Sequence, residues 1–368
     1  MKKILFLIHD LGHGGAEKVL VNLVNNMDPA KFDITVMALF GGGVNEQFLS
    51  KNIRYLTVFD KVIPGNSHLM KLLTPRQLHK WFIKDRYDIE LAYLEGPAVR
   101  IVSGCPHEDT KLISWIHCTM LSEKEFSVGF RSYEEAKDCI ARFHKNVFVS
   151  QGVKTAFEKY CDIRNGVVLY NTNESDKILS MAEEPMEDIF RANELKLIGV
   201  GKIEEVKGFD RLARIHKRFI DEGYPVHTYI LGEGSKRDEL SAFLEAENIR
   251  DSFTLLGYQT NPYKYVKNSD LFVCSSHSEG FSTAATEALI VGTPVVTTLV
   301  SGMKEMLGEN DEWGIVTEND EEALYLGIKR LLDDRALLAH YKEKAAKRGT
   351  LFSTEETVKE AEKTLLAI

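Results

Sequence analysis

Short apolar runs alternate with stretches of helical period along the chain. The runs fall at 3–8, 33–39, 53–59, 89–94, 111–116 and 146–149 in the first half. In the second they fall at 195–201, 226–231, 252–256, 271–275, 294–298 and 314–316. Each is near-continuously hydrophobic and short, which predicts strands buried on both faces. The intervening amphipathic segments, such as Ala16 to about Asn26, predict helices. Strand and helix in alternation predict an α/β fold of parallel sheets covered by helices, and two sets of about six strands predict two Rossmann-like, doubly wound domains facing a central cleft. The acidic stretch Asn171–Asn193, with Glu174, Asp176, Glu183, Glu184, Pro185, Glu187 and Asp188, breaks the alternation and predicts the linker. The domains are therefore expected at 1–172 and 194–350.

Length agrees, because 368 residues exceed the roughly 250–300 at which one core stops growing. A chain with 44% apolar and 27% charged residues is globular, and a net charge of −9 argues against a nucleic-acid partner. The five cysteines, at 105, 118, 139, 161 and 274, form no C-x-x-C pair and are expected as buried, reduced thiols in a cytoplasmic protein. No metal-ligand spacing appears: His9 and His13 are separated by glycine-rich sequence, and no Asp-x-Asp occurs. Lys2 and Lys3 precede an apolar run too short for a signal peptide, and it is read as the first strand. No run approaches membrane-span length, so the location is expected to be cytoplasmic unless the protein adheres to a membrane surface.

The most informative stretch is Glu279-Gly280-Phe281-Ser282-Thr283-Ala284-Ala285-Thr286-Glu287-Ala288-Leu289. Asp270–Ser276 precedes it as a strand, Gly280-Phe281-Ser282 supplies a turn with an N-cap, and Gly292-Thr293-Pro294-Val295-Val296 starts the next strand. The helix mouth offers free N–H groups and a positive dipole end to an anion. Glu287 lies ~8 Å along the axis from the mouth at 1.5 Å per residue, and Glu279 stays in the loop. A diphosphate seated there has one carboxylate towards each substituent, and an ionised carboxylate grips vicinal hydroxyls. The ligand expected is a nucleotide sugar. The competing reading of both acids as solvated surface positions loses ground because the strand–helix–strand unit encloses Glu287.

These residues resemble the retaining glycosyltransferases of family 4, which have the GT-B fold and an E-x7-E signature, here EGFSTAATEALIVGTPVV. The likeness covers most of the C-terminal half and, more faintly, the N-terminal half. Gly199–Asp210 is similar to the family's strand and loop carrying two basic residues that neutralise the donor diphosphate, here Lys202 and Lys207. Lys202 stands where most members have Arg, and an ammonium lacks the planar fork of a guanidinium. Leu231-Gly232-Glu233-Gly234, Leu256-Gly257-Tyr258 and Trp313-Gly314-Ile315-Val316 match in order, which adds Gly232 and Tyr258 to the expected donor contacts beside Gly280, Phe281, Ser282, Thr283 and Glu287. In the resembled fold the final helix, here 351–368 with its body from about 354, crosses back to the first domain. The resemblance also implies retention by front-face return, with the leaving phosphate helping to deprotonate the acceptor.

In the first half, Gly12–Gly15 follows the first strand, so Gly14 and Gly15 either approach the donor or form a plain structural turn; with Glu17 in the last place it is not the dinucleotide fingerprint. His117 ends the strand 112–116 where family members often carry a polar residue facing the transferred sugar; a satisfied structural histidine is the alternative. Glu95-Gly96-Pro97 is a further candidate. Residues 61–86 combine Lys61, Lys71, Arg76, Lys80, Lys84 and Arg86 with Leu69, Met70, Leu72, Leu73, Leu78, Trp81, Phe82 and Ile83. This basic amphipathic patch either meets the anionic inner membrane surface or is an ordinary helix packed on the sheet.

The expectation is a metal-independent hexosyltransferase with no cofactor, using a nucleoside diphosphate sugar, with uridine preferred on the resemblance, and a saccharide or lipid-linked saccharide acceptor. Glu279 and His117 would face the sugar, Glu287 the ribose, and Lys202 and Lys207 the diphosphate. A non-catalytic glycosyltransferase-like subunit and a nucleotide-sugar epimerase of the same architecture remain open, whereas a phosphorylase lacks its cofactor lysine site. Sugar, linkage and oligomeric state have no signal in the sequence.

Overall fold

The apolar runs assemble into two all-parallel sheets. The computed structural model describes residues 1–12, 14–61, 70–186, 189–191 and 193–368. The first sheet has the order β3-β2-β1-β4-β5-β6-β7, built from β1 (Lys2–Ile8), β2 (Phe32–Phe40), β3 (Arg54–Phe59), β4 (Ile89–Tyr93), β5 (Lys111–Ile116), β6 (Lys145–Phe148) and β7 (Gly166–Val168). The second has the order β10-β9-β8-β11-β12-β13, from β8 (Leu195–Val200), β9 (Val226–Leu231), β10 (Phe253–Gly257), β11 (Leu271–Cys274), β12 (Val295–Thr298) and β13 (Ile315–Thr317). In each sheet the order reverses beside the first strand, between β1 and β4 and between β8 and β11, which opens a crevice beyond the carboxyl ends of the strands. Central strands β4, β9, β11 and β12 are buried throughout, as their unbroken hydrophobicity requires. Edge strand β3 is half exposed.

The count of six strands in the first half is one short. β7 has three half-buried residues, too few and too mixed to register as an apolar run. The acidic stretch expected as a linker carries a helix, Ser175–Ala182, which packs in the second unit against helices Tyr263–Lys267 and Thr283–Ile290. Ile178 and Ala182 are its buried face, and Asn261 Nδ2 donates to Met181 O at 2.8 Å and to Glu184 Oε2 at 2.9 Å. Charge density masked a short amphipathic helix; Glu187 and Asp188 lie outside the described residues. Among the thiols, Cys105, Cys139 and Cys274 are buried, but Cys118 is exposed and Cys161 half-buried.

The chain divides into two compact units, residues 1–173 with 354–368, and residues 174–353. Within the first, the terminal helix Thr354–Leu366 packs on helix Gly15–Asn26. Its buried Glu362 accepts from Asp28 N at 2.6 Å and from Lys31 Nζ at 2.7 Å, which raises the Lys31 pKa. Within the second, two glycines are sterically obligatory. Gly208 has φ 62°, and a Cβ on it would lie 2.2 Å from Ser275 O. A Cβ on Gly232 would lie 1.9 Å from Gly201 O.

Gly208→Ala should therefore lower the stability of the protein by at least about 1–3 kcal/mol, the cost of left-handed backbone alone, with the clash in addition. Urea denaturation checks this, and a loss below 0.5 kcal/mol, within the scatter of a neutral surface change, would show that the loop relaxes freely.

Candidate active site

Helix Thr283–Ile290 begins directly after the turn that follows β11. Ser282 is its N-cap in extended conformation, its hydroxyl accepting from Ala285 N at 3.3 Å, and Thr286 Oγ1 donates back to Ser282 O at 2.9 Å. The amides of Thr283 and Ala284 have no acceptor among the described residues. They present two N–H groups and the positive end of the helix dipole at the carboxyl edge of the sheet.

The carboxylates on either side are held in place. Glu279 Oε1 accepts from Lys207 Nζ at 2.6 Å and from Ser276 Oγ at 2.6 Å. Glu287 is only 7% exposed, with the Tyr263 hydroxyl 3.3 Å from its Oε1. Neither acid is a solvated surface position. Burial opposes the Lys207 ammonium, but the Glu279 carboxylate more than offsets it, and the lysine pKa is raised. The stabilisation is complete below the ordinary lysine value and is lost only as pH rises through the raised one, so the charge persists at neutral pH.

A brace of hydrogen bonds fixes the loop bearing Lys207. Buried Arg211 donates through Nη2 to Ser275 O at 2.6 Å and through Nη1 to Asn319 Oδ1 at 3.0 Å. Ser275 Oγ donates to Lys207 O at 2.9 Å, His277 N to Val206 O at 2.8 Å, and Asn319 Nδ2 to His277 O at 2.9 Å. Three loops at one end of the sheet are tied together this way. Lys202, by contrast, is exposed and pairs with no carboxylate among the described residues. Gly232 lies against Gly201 O, Phe281 is buried, and Tyr258 is 65% exposed at the end of β10.

His117, Gly14 and Gly15 belong to the first unit. Gly14 is the N-cap of helix Gly15–Asn26 without a side-chain cap, and His13 of the same turn lies outside the described residues. His117 is buried at the end of β5, its ring 4.6 Å from that of Tyr93 and its amide donating to Glu95 Oε2 at 3.0 Å. Burial pushes its pKa down to about 3, so the imidazole is neutral at physiological pH. Its Nε2 has no hydrogen-bond partner among the described residues. Of the basic amphipathic stretch, residues 62–69 lie outside the described residues. Helix Pro75–Phe82 packs on helix Pro97–Val102 and buries Leu78 and His79 but leaves Trp81 58% exposed, so packing accounts for only part of its apolar surface. His79, Glu90 and Cys105 meet in the core of this unit although no spacing in the sequence joins them. Glu90 Oε2 is 2.7 Å from His79 Nε2, and its Oε1 is 3.6 Å from Cys105 Sγ. Burial and this carboxylate push the Cys105 thiol up to about 11.

The profile of the family described as "Glycosyl transferases group 1" matches residues 182–348, the stretch holding Lys202, Lys207, Glu279 and Glu287. Over its full length the chain is 27% identical to the N-acetylgalactosamine-N,N'-diacetylbacillosaminyl-diphospho-undecaprenol 4-alpha-N-acetylgalactosaminyltransferase of Campylobacter jejuni, 100% of both chains being covered. It is 28% identical to the capsular polysaccharide biosynthesis glycosyltransferase CapM of Staphylococcus aureus, over 38% of this chain and 37% of the relative. Anabaena HepE, solved in complex with UDP, has a TM-score of 0.80 at 19% identity and covers 100% of both chains. The fold is GT-B. As a GT-B protein the chain carries its two parallel sheets in the expected class, and the matches support a glycosyltransferase. Among the described residues no helix is long and apolar enough to cross a membrane.

Several residues that shape this GT-B site had no signal of their own. Ser275 and Ser276 read only as the end of a strand. Tyr263 stands 24 residues before Glu287, and Arg211 and Asn319 are joined by tertiary packing alone.

Because an unfolded His117 titrates near 6.5 and the folded one near 3, stability should fall as pH drops through this window. His117→Gln should flatten that fall by up to about 1.4 kcal/mol per pH unit in urea titrations between pH 4 and 6. Parallel slopes for variant and parent would contradict the buried, neutral imidazole.

Proposed function

We propose that this chain is a retaining glycosyltransferase of family 4 that moves a hexosyl group from a nucleoside diphosphate sugar, with uridine the preferred nucleotide, to a saccharide or lipid-linked saccharide in cell-surface polysaccharide synthesis. The observation that carries this is the helix mouth at Thr283 with Lys207 and Glu279 on its loop side and Glu287 on its helix side. HepE in complex with UDP and the diphospho-undecaprenol in the name of the Campylobacter relative favour the donor and acceptor classes.

In this mechanism the bond between the anomeric carbon and the diphosphate breaks with its electron pair going to phosphate. The N–H groups of Thr283 and Ala284 and the ammonium of Lys207, with Lys202 beside them, stabilise the charge that develops there, so no divalent ion is required. Glu279 keeps its bond from Ser276 while turning to the hydroxyls of the transferred sugar, and Glu287 takes those of the ribose. His117, being neutral, donates or accepts a hydrogen bond at the sugar and carries no charge. The acceptor oxygen bonds to the face the leaving group vacates, and its proton passes to a phosphate oxygen. Gly14, Gly15, Gly232 and Tyr258 complete the donor contacts. The enzyme works in the cytoplasm, and the described part of the basic stretch brings it to the inner membrane surface.

Glu287→Ala and Lys207→Ala should each lose about 2–4 kcal/mol of transition-state stabilisation in kcat/KM, measured as nucleotide released from a panel of nucleotide sugars with and without acceptor. Turnover near the parent level in both variants would end this assignment. Release from none of the panel would favour a non-catalytic subunit, and donor conversion without release an epimerase. UDP at a hundred times its dissociation constant should stabilise the protein by about 2.7 kcal/mol in thermal unfolding. The same gain from GDP alone would overturn the uridine preference.

A further inference from the structure

The first unit contains an apolar cavity of about 610 Å³ that the proposed chemistry does not use. Edge strand β3 gives it Val58 and Phe59, helix Pro75–Phe82 gives Trp81 and Phe82, and the loop before that helix gives Leu72 and Leu73. Its walls are aromatic and branched aliphatic side chains, among which Phe59 and Phe82 meet edge to face with centroids 5.8 Å apart.

The loop is built to hold Leu72 outward between buried Met70 and half-buried Leu73. All four carbonyls from 70 to 73 accept from guanidinium groups. Arg100 donates to Met70 O at 2.8 Å and to Leu73 O at 2.7 Å, and Arg131 donates to Lys71 O at 2.5 Å and to Leu72 O at 3.0 Å. Arg100 is itself fully buried and anchored on Glu135 at 3.0 Å, and Thr74 and Gln77 close a capping box on the helix that follows. Leu72 is nevertheless 76% exposed. With all four carbonyls tied, this backbone presents an apolar contact surface in advance, which lowers the ordering cost of binding.

Charge around this surface is predominantly basic, since Asp60 and Asp85 are its acids and Asp85 is paired with Arg54. Lys61, Lys71, Arg76, Lys80 and Lys84 have no carboxylate partner among the described residues, although the whole chain carries −9. A ligand that satisfies both features is apolar at one end and strongly anionic at the other.

We infer that this cavity takes the hydrocarbon chain of a polyprenyl diphosphate, whose head group is met by the surrounding lysines. The inference rests on the glycosyltransferase reading only in making that lipid the carrier of the acceptor sugar. It differs from adhesion to a bilayer surface in that one chain leaves the membrane and enters the protein.

Isothermal titration of the full chain with geranylgeranyl diphosphate, inorganic pyrophosphate and geranylgeraniol, and separate flotation with phosphatidylglycerol vesicles, test it. Geranylgeranyl diphosphate should bind one to one, and pyrophosphate and geranylgeraniol each at least about tenfold more weakly. Leu72→Ser and Trp81→Ser should weaken geranylgeranyl diphosphate by about tenfold or more, the effect of losing a buried apolar side chain, and leave pyrophosphate unchanged. Equal affinity for pyrophosphate and the lipid, or parent-like lipid binding in both variants, overturns the proposal. Capture by vesicles without binding of geranylgeranyl diphosphate replaces it with a membrane-surface patch. The thermal shift with UDP, run on the same samples, reports the donor site independently, so failure there does not count as failure of the lipid pocket.

Discussion

An ammonium and a carboxylate 2.6 Å apart, Lys207 and Glu279, are the contact around which the second unit's loops are arranged. Each has a job in the proposed chemistry that requires its charge, and each is largely withdrawn from water. Left alone, either group would carry a heavy desolvation cost, which their contact offsets. Ser276 donates to the same carboxylate oxygen, so Glu279 retains an anchor when an incoming diphosphate competes for the lysine. The pair thus ties the two loops together through a contact that a ligand can exchange.

That arrangement depends on backbone that side chains cannot substitute for. Gly208 sits in left-handed conformation against Ser275 O, which lets the lysine-bearing loop approach the turn after β11 closely enough for Ser275 Oγ to reach Lys207 O. Arg211 spans the same junction from below and reaches Asn319 on the loop after β13. Three separate segments, two of which carry Lys207 and Glu279, are tied together by one buried guanidinium.

Much of this is legible in the amino-acid sequence. Twelve apolar runs marked twelve of the strands, because a parallel sheet buries both faces and leaves no alternation to confuse the pattern. The E-x7-E spacing located the helix mouth because capping and period are local properties, and Ser282 is indeed the N-cap. What escaped was either short or non-local. β7 is three residues long, and the helix Ser175–Ala182 was hidden by neighbouring acids. Tyr263, Arg211 and the His79–Glu90–Cys105 cluster are assembled by contacts between segments far apart in sequence, for which no periodicity exists. The lysine-rich stretch showed its charge but not the anchored loop within it, since the arginines that pin residues 70 to 73 come from positions 100 and 131.

The division of the chain has a consequence for biogenesis. Residues 354–368 belong with residues 1–173, so the second unit is in effect inserted into the first. During synthesis the ribosome must deliver the whole inserted unit before it releases the segment whose Glu362 receives the Asp28 amide and Lys31. The segment made before the inserted unit is thus completed only after it, and the flank of helix Gly15–Asn26 that Thr354–Leu366 covers stays open until that helix arrives.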